Sequence, residues 1–443
     1  MAESNWHRRT WAIAGPVIIT NISVPLLGAV DTAVVGHLPE PKFLGAVAVG
    51  SLVFNFLYHG CNFLRMGTTG LTAQAYGARD GNQIRDWLFR SVVLSTSIGL
   101  ILFSLQIPII TFSLYLIGAS KEVSSIAGNY FEIRIWGSPL ALSNIAILGW
   151  FIGTQNVRAA LISQVFMNTL NIFLDLWFVI GLGWGVEGVA LATLISEMAT
   201  VVLALLIAAT MLRKIPGSFD LHRLFNFTEL QHMFVVNANI FVRSLCNQLV
   251  HVTLTAIGAR IGDITLAANV ILLNFFLFIS YGLDAFANAA EALVGEAIGR
   301  KNRVECRKAV EATTKWALGF SFIFCLFFFI FGGMLIDLLT TIPEVRTTAQ
   351  EYLPWIILLP IVAVWAFQFD GIYIGATWSR EMRNSMILAV TAFLGSLVIL
   401  LPEFSNHGLW AAYIIFLGVR GIMLIVWYPG LESTIETTNK PKR

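Results

Sequence analysis

Charge is scarce in this chain. Only 12% of its 443 residues are Asp, Glu, Lys or Arg while 57% are hydrophobic, and an ordinary soluble domain carries about one quarter charged residues. That shortage excludes a soluble globular protein. Cysteine is scarce too: Cys61, Cys246, Cys306 and Cys325 show neither paired nor metal-ligand spacing, which excludes a disulfide framework and a thiolate metal centre and leaves packing residues. No nucleotide-binding loop, HExxH or Ser/His/Asp grouping occurs, so ATP-driven pumping by this chain and hydrolytic chemistry are unsupported. The reading is of a protein that is not an enzyme and uses no cofactor. Gly183, Gly185 and Gly188 spell GxGxxG, but no strand precedes them and they join two apolar segments, so they read as a turn.

What the chain has instead is apolar length. Runs of roughly 20 residues suffice to cross a hydrocarbon core about 30 Å thick. They recur near 11–35, 44–72, 88–112, 126–153, 158–181, 187–212, 229–257, 264–298, 311–337, 348–375, 383–402 and 407–430. The expected fold class is an all-α polytopic membrane protein with twelve transmembrane helices. Alternate loops gather the basic residues, among them Arg8, Arg9, Arg79, Arg85, Arg213, Lys214, Arg300, Lys301 and Arg380, whereas the other side holds Lys42, Lys121, Arg260 and Arg346. This bias places both termini in the cytoplasm. It also accounts for the net charge of +2 without a nucleic-acid partner. The first run is too long and too polar at its end for a cleaved signal peptide. The sequon Asn226-Phe227-Thr228 falls on the cytoplasmic side and should be inert.

The chain repeats itself at half its length. An ungapped shift of 222 positions sets Ala75 on Ala297, Gly77 on Gly299, Arg85 on Arg307, Tyr130 on Tyr352, Gly149 on Gly371, Gly153 on Gly375, Arg158 on Arg380 and Ser163 on Ser385. Six helices per copy is an even number, so the copies share one topology and form a parallel repeat of the transporter kind. The expected organisation is a first lobe over 1–212, a basic linker over 213–228 and a second lobe over 229–443.

Polar residues inside the apolar runs are the candidate site. An ionisable side chain at mid-membrane costs at least ~2.5 kcal/mol on insertion scales and normally faces a partner or a water-filled cavity. Asp31 has no base near it on its own helix. In 158–181, Gln164, Asn168, Asn171 and Asp175 follow at steps of four, three and four, which puts them on one helix face. Asn144 and Thr193 fall at compatible depths. Desolvation disfavours the charged form of either acid, and each charge disfavours the other, so Asp31 and Asp175 would exchange protons as a coupled pair. The repeat maps them onto Thr253 and Leu397. A pair confined to one copy is not a necessity of the shared fold, which points to function; the alternative is a hydrogen-bonded structural network. Pro16 and Pro25 remove backbone donors and would let the first helix bend, although prolines are also common in membrane helices. The second lobe carries Arg243, Asp284, Asn288, Glu291 and Asp370, with Arg243 expected to pair with one of these acids. Its role is open between a structural salt bridge and a second ion or substrate contact.

"VPLLGAVDTAVVGHL", "LRMGTTGLTAQAYGARDG", "NIFLDLWFVIGL" and "DGIYIGATWSREMRNSM" together resemble the multidrug and toxic compound extrusion (MATE) family, most closely its DinF-like bacterial branch. The likeness runs over essentially the whole chain. It implies two six-helix bundles around a V-shaped cleft in a bacterial inner membrane. The implied activity is export of bulky, often cationic, organic compounds against inflow of protons or sodium ions. In that resemblance the family's first-helix aspartate corresponds to Asp31, its fifth-helix Asn and Asp to Asn171 and Asp175, its sixth-helix threonine to Thr193 and its bend proline to Pro16. Asn144 fits a fourth-helix amide. Asp370 matches a second-lobe acid of the NorM-like branch, but the seventh helix lacks that branch's Glu, which favours protons at the first lobe over sodium at the second. The expected protein is a monomeric antiporter without a bound metal. Alternatives are a sodium-coupled exporter, a flippase for lipid-linked sugars and, from another class, a non-transporting scaffold.

Overall fold

The computed structural model describes residues 2–36 and 40–435; the side chains of residues 2–4, 24–29, 31, 32 and 41 lie outside the described set. Its helices are α1 (Ala2–Gly36), α2 (Pro41–Gly60), α3 (Phe63–Gly77), α4 (Gly81–Ser104), α5 (Gln106–Ile117) and α6 (Lys121–Arg134). A 3-10 turn, Ile135–Gly137, leads into α7 (Ser138–Gly153), and α8 (Val157–Asp175) passes through a π-helical turn, Leu176–Gly181, to α9 (Gly185–Leu212). The short α10 (Leu221–Leu224) precedes α11 (Phe227–Ile261), α12 (Asp263–Gly299), α13 (Arg303–Leu339), α14 (Pro343–Gly375) and α15 (Ser379–Thr434). Among the described residues ten stretches are long and apolar enough to cross a membrane. The last, α15, contains two segments separated at Ser405, whose φ of 48 is non-helical. Counting α15 as two gives eleven of the twelve spans expected from apolar length, and α1 (35 residues) is the remaining helix.

The chain divides into two compact units, one formed by Met1–Ile18 with His232–Arg443 and the other by Ile19–Gln231. One division falls inside α1, so its first half is counted with the second-half helices, and the other lies close to the expected linker. Within the first unit, Trp11 packs edge-on to Phe286 and Trp316, Trp316 Nε1 donates to His7 Nδ1 at 3.0 Å, and Arg9 pairs with Glu296. Within the second, the linker is held by two α4 arginines: Arg85 donates to the carbonyls of Leu212 and Ile215, each at 2.6 Å, and Arg90 to those of Leu224 and Arg223 at 3.0 and 2.6 Å. Arg85, one of the basic residues of the expected cytoplasmic side, thus also binds the loop. The sequon residue Asn226 caps α11, its Oδ1 accepting from the amides of Thr228 and Glu229.

The repeat is visible atom by atom. Arg79 and Lys301, 222 positions apart, both take the left-handed conformation, with φ of 57 and 53, as do Gln155 and Thr377 at 59 and 57. Asp80 caps α4 by accepting from Asn82 and Gln83, and its equivalent Asn302 caps α13 by accepting from Val304 and Glu305. A central helix in each copy is approached closely by its partner because glycine stands at the contact. A Cβ on Gly149 would lie 2.4 Å from the Arg65 carbonyl oxygen, and one on Gly371 2.3 Å from the carbonyl oxygen of the equivalent Ala287. The GxGxxG glycines form the turn expected: Gly183 and Gly185 have φ of 71 and 55.

Gly149→Ala and Gly371→Ala should each destabilise the protein by about 1–3 kcal/mol through backbone displacement. Thermal unfolding in detergent should show this loss, whereas Gly395→Ala, which meets nothing within 4 Å, should leave the midpoint unchanged.

Candidate functional site

In the unit Ile19–Gln231, the polar face read on 158–181 is the inward face of α8. Gln164, Asn168, Asn171 and Asp175 are all buried, Asp175 completely. Gln164 Nε2 donates to Asn168 Oδ1 at 3.0 Å, and Asn168 Nδ2 donates to Ser23 Oγ on α1 at 3.0 Å. One step further along α8, Asn171 Nδ2 donates to Thr193 Oγ1 on α9 at 3.4 Å, and Thr193 itself donates to the Val189 carbonyl. The face therefore ties α8 to α1 and to α9 through neutral amides and hydroxyls. Asp175 is the last α-helical residue before the π turn, a form of local unwinding frequent at functional sites. Asn144, on α7, is buried, and its Oδ1 makes no hydrogen bond among the described residues. Asp31 and Pro25 fall within the bounds of α1 but their side chains lie outside the described residues, so their expected place beside Asp175 stays an expectation. Pro16 is half-buried on the part of α1 counted with the other unit. The backbone is helical across both prolines.

The second-half cluster is an ion-pair knot. Asp370 on α14 binds Arg243 on α11 and also Arg420 on α15, both guanidiniums reaching the same carboxylate oxygen. The three side chains are buried. Arg243 therefore finds the acid it was expected to need, and Arg420 is the partner that sequence reading missed. Asp284 adds its field to Arg420. Asn288 turns its Nδ2 back to the Asp284 carbonyl at 2.8 Å, and Glu291 is buried on the same helix. Among the described residues no group of His, Cys, Asp and Glu could hold a metal ion.

A third cluster was also missed. Arg134 at the end of α6 stands 3.6 Å from Glu197 on α9 and donates to the Tyr130 hydroxyl at 3.0 Å. Both charges lie inside apolar spans, and the shift of 222 places Ile356 and Val419 at their equivalents. The filter that singled out Asp31 and Asp175, an unrepeated ionisable residue within an apolar run, finds them as well.

A wholly helical, twice-repeated membrane fold with buried polar clusters in each unit defines a transporter rather than an enzyme. The MatE family model matches residues 16–177 and 240–400, once in each repeat. The chain is 40% identical over 418 residues to DNA damage-inducible protein F of Escherichia coli, covering 94% of this chain and 91% of that one. It is 20% identical over 438 residues to a probable multidrug resistance protein NorM of Bacillus cereus, covering 96% and 95%. Among solved structures it superposes with a TM-score of 0.85 on an outward-facing multidrug resistance MATE transporter of the MOP superfamily, at 20% identity over 97% of this chain and 96% of that one. A MOP superfamily transporter from Pyrococcus furiosus gives the same TM-score of 0.85 at 20% identity, covering 98% and 97%. The chain belongs to the MATE family, in its DinF-like branch.

Asp370→Asn should cost about 3–5 kcal/mol, because it strands two buried guanidiniums. Gel filtration and thermal unfolding of the purified variant should show the loss, and Asp370→Glu should recover most of it.

Proposed function

We propose that this chain is a multidrug exporter that expels organic, often cationic, compounds in exchange for protons, with coupling at Asp31 and Asp175. It works as a monomer in a bacterial inner membrane with both termini in the cytoplasm. The observation that carries the reading is the α8 face, which ends at a completely buried Asp175 and is joined to α9 by the Asn171–Thr193 hydrogen bond. In this reading a proton and a cationic cargo compete for the same negative charge at Asp175. Asn144 Oδ1, without a hydrogen bond among the described residues, supplies an acceptor.

In the outward-facing form the acid pair takes up a proton, the field that held the cargo falls, and the cargo leaves as α1 bends near Pro16 and Pro25. Return to the inward-facing form releases the proton to the cytoplasm. The knot at Asp370 supports the choice of lobe: two guanidiniums already occupy the acid that a sodium ion would need. Exchange of one proton for one monovalent cation moves no net charge and draws on ~1.36 kcal/mol per pH unit. A second proton adds the voltage, ~2.3 kcal/mol per 100 mV.

Efflux of ethidium from vesicles under an imposed pH gradient, with and without sodium, checks this. Asp31→Asn and Asp175→Asn should both abolish proton-driven efflux at normal protein levels, and sodium should not restore it. Unchanged efflux in both would move the coupling site to Asp284, Glu291 and Asp370.

A further inference from the structure

Glu197 sits near the middle of the 28-residue α9 and is 7% exposed. Its surroundings do little for a negative charge. Among the described residues the guanidinium paired with it is that of Arg134, at 3.6 Å from Oε1, beyond the roughly 2.7–2.9 Å of a charge-assisted hydrogen bond. Its other oxygen, Oε2, has no hydrogen-bond partner among the described residues. That oxygen occupies a notch made by the 3-10 turn between α6 and α7, where a Cβ on Gly137 would lie 2.6 Å from it. A 3-10 interruption in the middle of a span often marks a functional hinge, and here it makes room for a carboxyl oxygen.

Arg134, by contrast, does not depend on Glu197. Its guanidinium donates to the Tyr130 hydroxyl at 3.0 Å and lies over the Phe54 ring, 4.6 Å from the centroid. It keeps a hydrogen-bond acceptor and an aromatic face when Glu197 is neutral. Among the described residues Tyr58 on α2 also lies in the field of Glu197, and its hydroxyl meets the Ser138 hydroxyl at 3.2 Å; α6 further carries Lys121, Glu122 and Glu132, and α2 Lys42 and His59. Neither α7 nor the 3-10 and π turns packed on α9 carry an ionisable side chain, and α8 carries Arg158 and Asp175. Asp370, by contrast, is gripped by two guanidiniums, where Glu197 has one at a longer distance.

Glu197 is also connected to the α8 face. Thr193 lies one turn before it on the same side of α9 and receives the Asn171 hydrogen bond, and Asn171 is one turn from Asp175. We propose that Glu197 takes up and releases a further proton in each transport cycle, with Arg134 as the partner of its ionised form. This rests on the proton-coupled reading above. The carboxylate gains an O–H bond and loses its charge, and no other bond changes. A proton carried here in addition to the one at the acid pair makes exchange for a monovalent cation electrogenic.

The test uses the full chain in proteoliposomes with ethidium as cargo, driven separately by a pH gradient and by a potassium-diffusion potential. Because Glu197→Gln alone changes the net charge of the cluster permanently, the charge-balanced double variant R134M/E197Q is made beside it, and thermal unfolding confirms that it folds. The double variant should lose potential-driven efflux, and the ethidium gradient sustained per pH unit should fall by about tenfold, the share of one proton. Infrared titration should show a protonated-carboxyl stretch that disappears in E197Q and persists in D175N. Wild-type voltage dependence in the double variant, or a titrating carboxyl spectrum unchanged in E197Q, would overturn the assignment to Glu197. Normal coupling in D175N together with a Glu197-dependent band would instead overturn the Asp31–Asp175 reading and leave Glu197 as the coupling acid.

Discussion

Hydrocarbon offers no partner to a charge, and that single constraint organises this molecule. Each buried ionisable group has to be held by another charge, by neutral hydrogen-bonding groups, or by a proton that removes the charge. The three buried clusters use these in different proportions. At Asp370 two guanidiniums converge on one carboxylate oxygen. On α8, amides and hydroxyls link neighbouring helices. At Glu197 a loosely placed guanidinium and a glycine notch leave one oxygen without a donor.

The repeated architecture makes these differences informative. Both copies use the same backbone devices at the same offsets: left-handed turn residues, Asp or Asn caps, and glycines that let a central helix touch a neighbour's carbonyl. Whatever recurs in both copies serves the fold. Asp175, Asn171 and Glu197 in one unit, and Arg243 and Arg420 in the other, have no counterpart in the matching copy. The two copies thus share a scaffold and differ in the polar residues it carries.

Much of the fold was legible from apolar length alone, since a span needs only enough consecutive lipid-compatible residues. The register of 222 positions was equally readable, because close packing at Gly149 and Gly371 and turn geometry at Arg79 and Lys301 tolerate few residue types. Less legible were the breaks. The apolar run expected over 88–112 is divided at Leu105 between α4 and α5, and the run over 126–153 contains the 3-10 turn that receives Glu197. Ser104, Gln106 and Pro108 flank the first break and Arg134, Gly137 and Pro139 the second, but each lies in a run that stays apolar on average, so averaged hydropathy smooths it over.

The sequence by itself determined the class of protein: its spans, its repeat and the polar face of α8 follow from composition and from periodicity along one helix, and its family from the resemblance of its motifs. Tertiary structure decided the partnerships. Arg243 needed an acid, but only packing of α11, α14 and α15 chose Asp370 and added Arg420. Asn171 needed an acceptor, and only the approach of α9 supplied Thr193. Pairing between helices depends on which faces meet, and a one-dimensional pattern carries the faces without carrying the meeting.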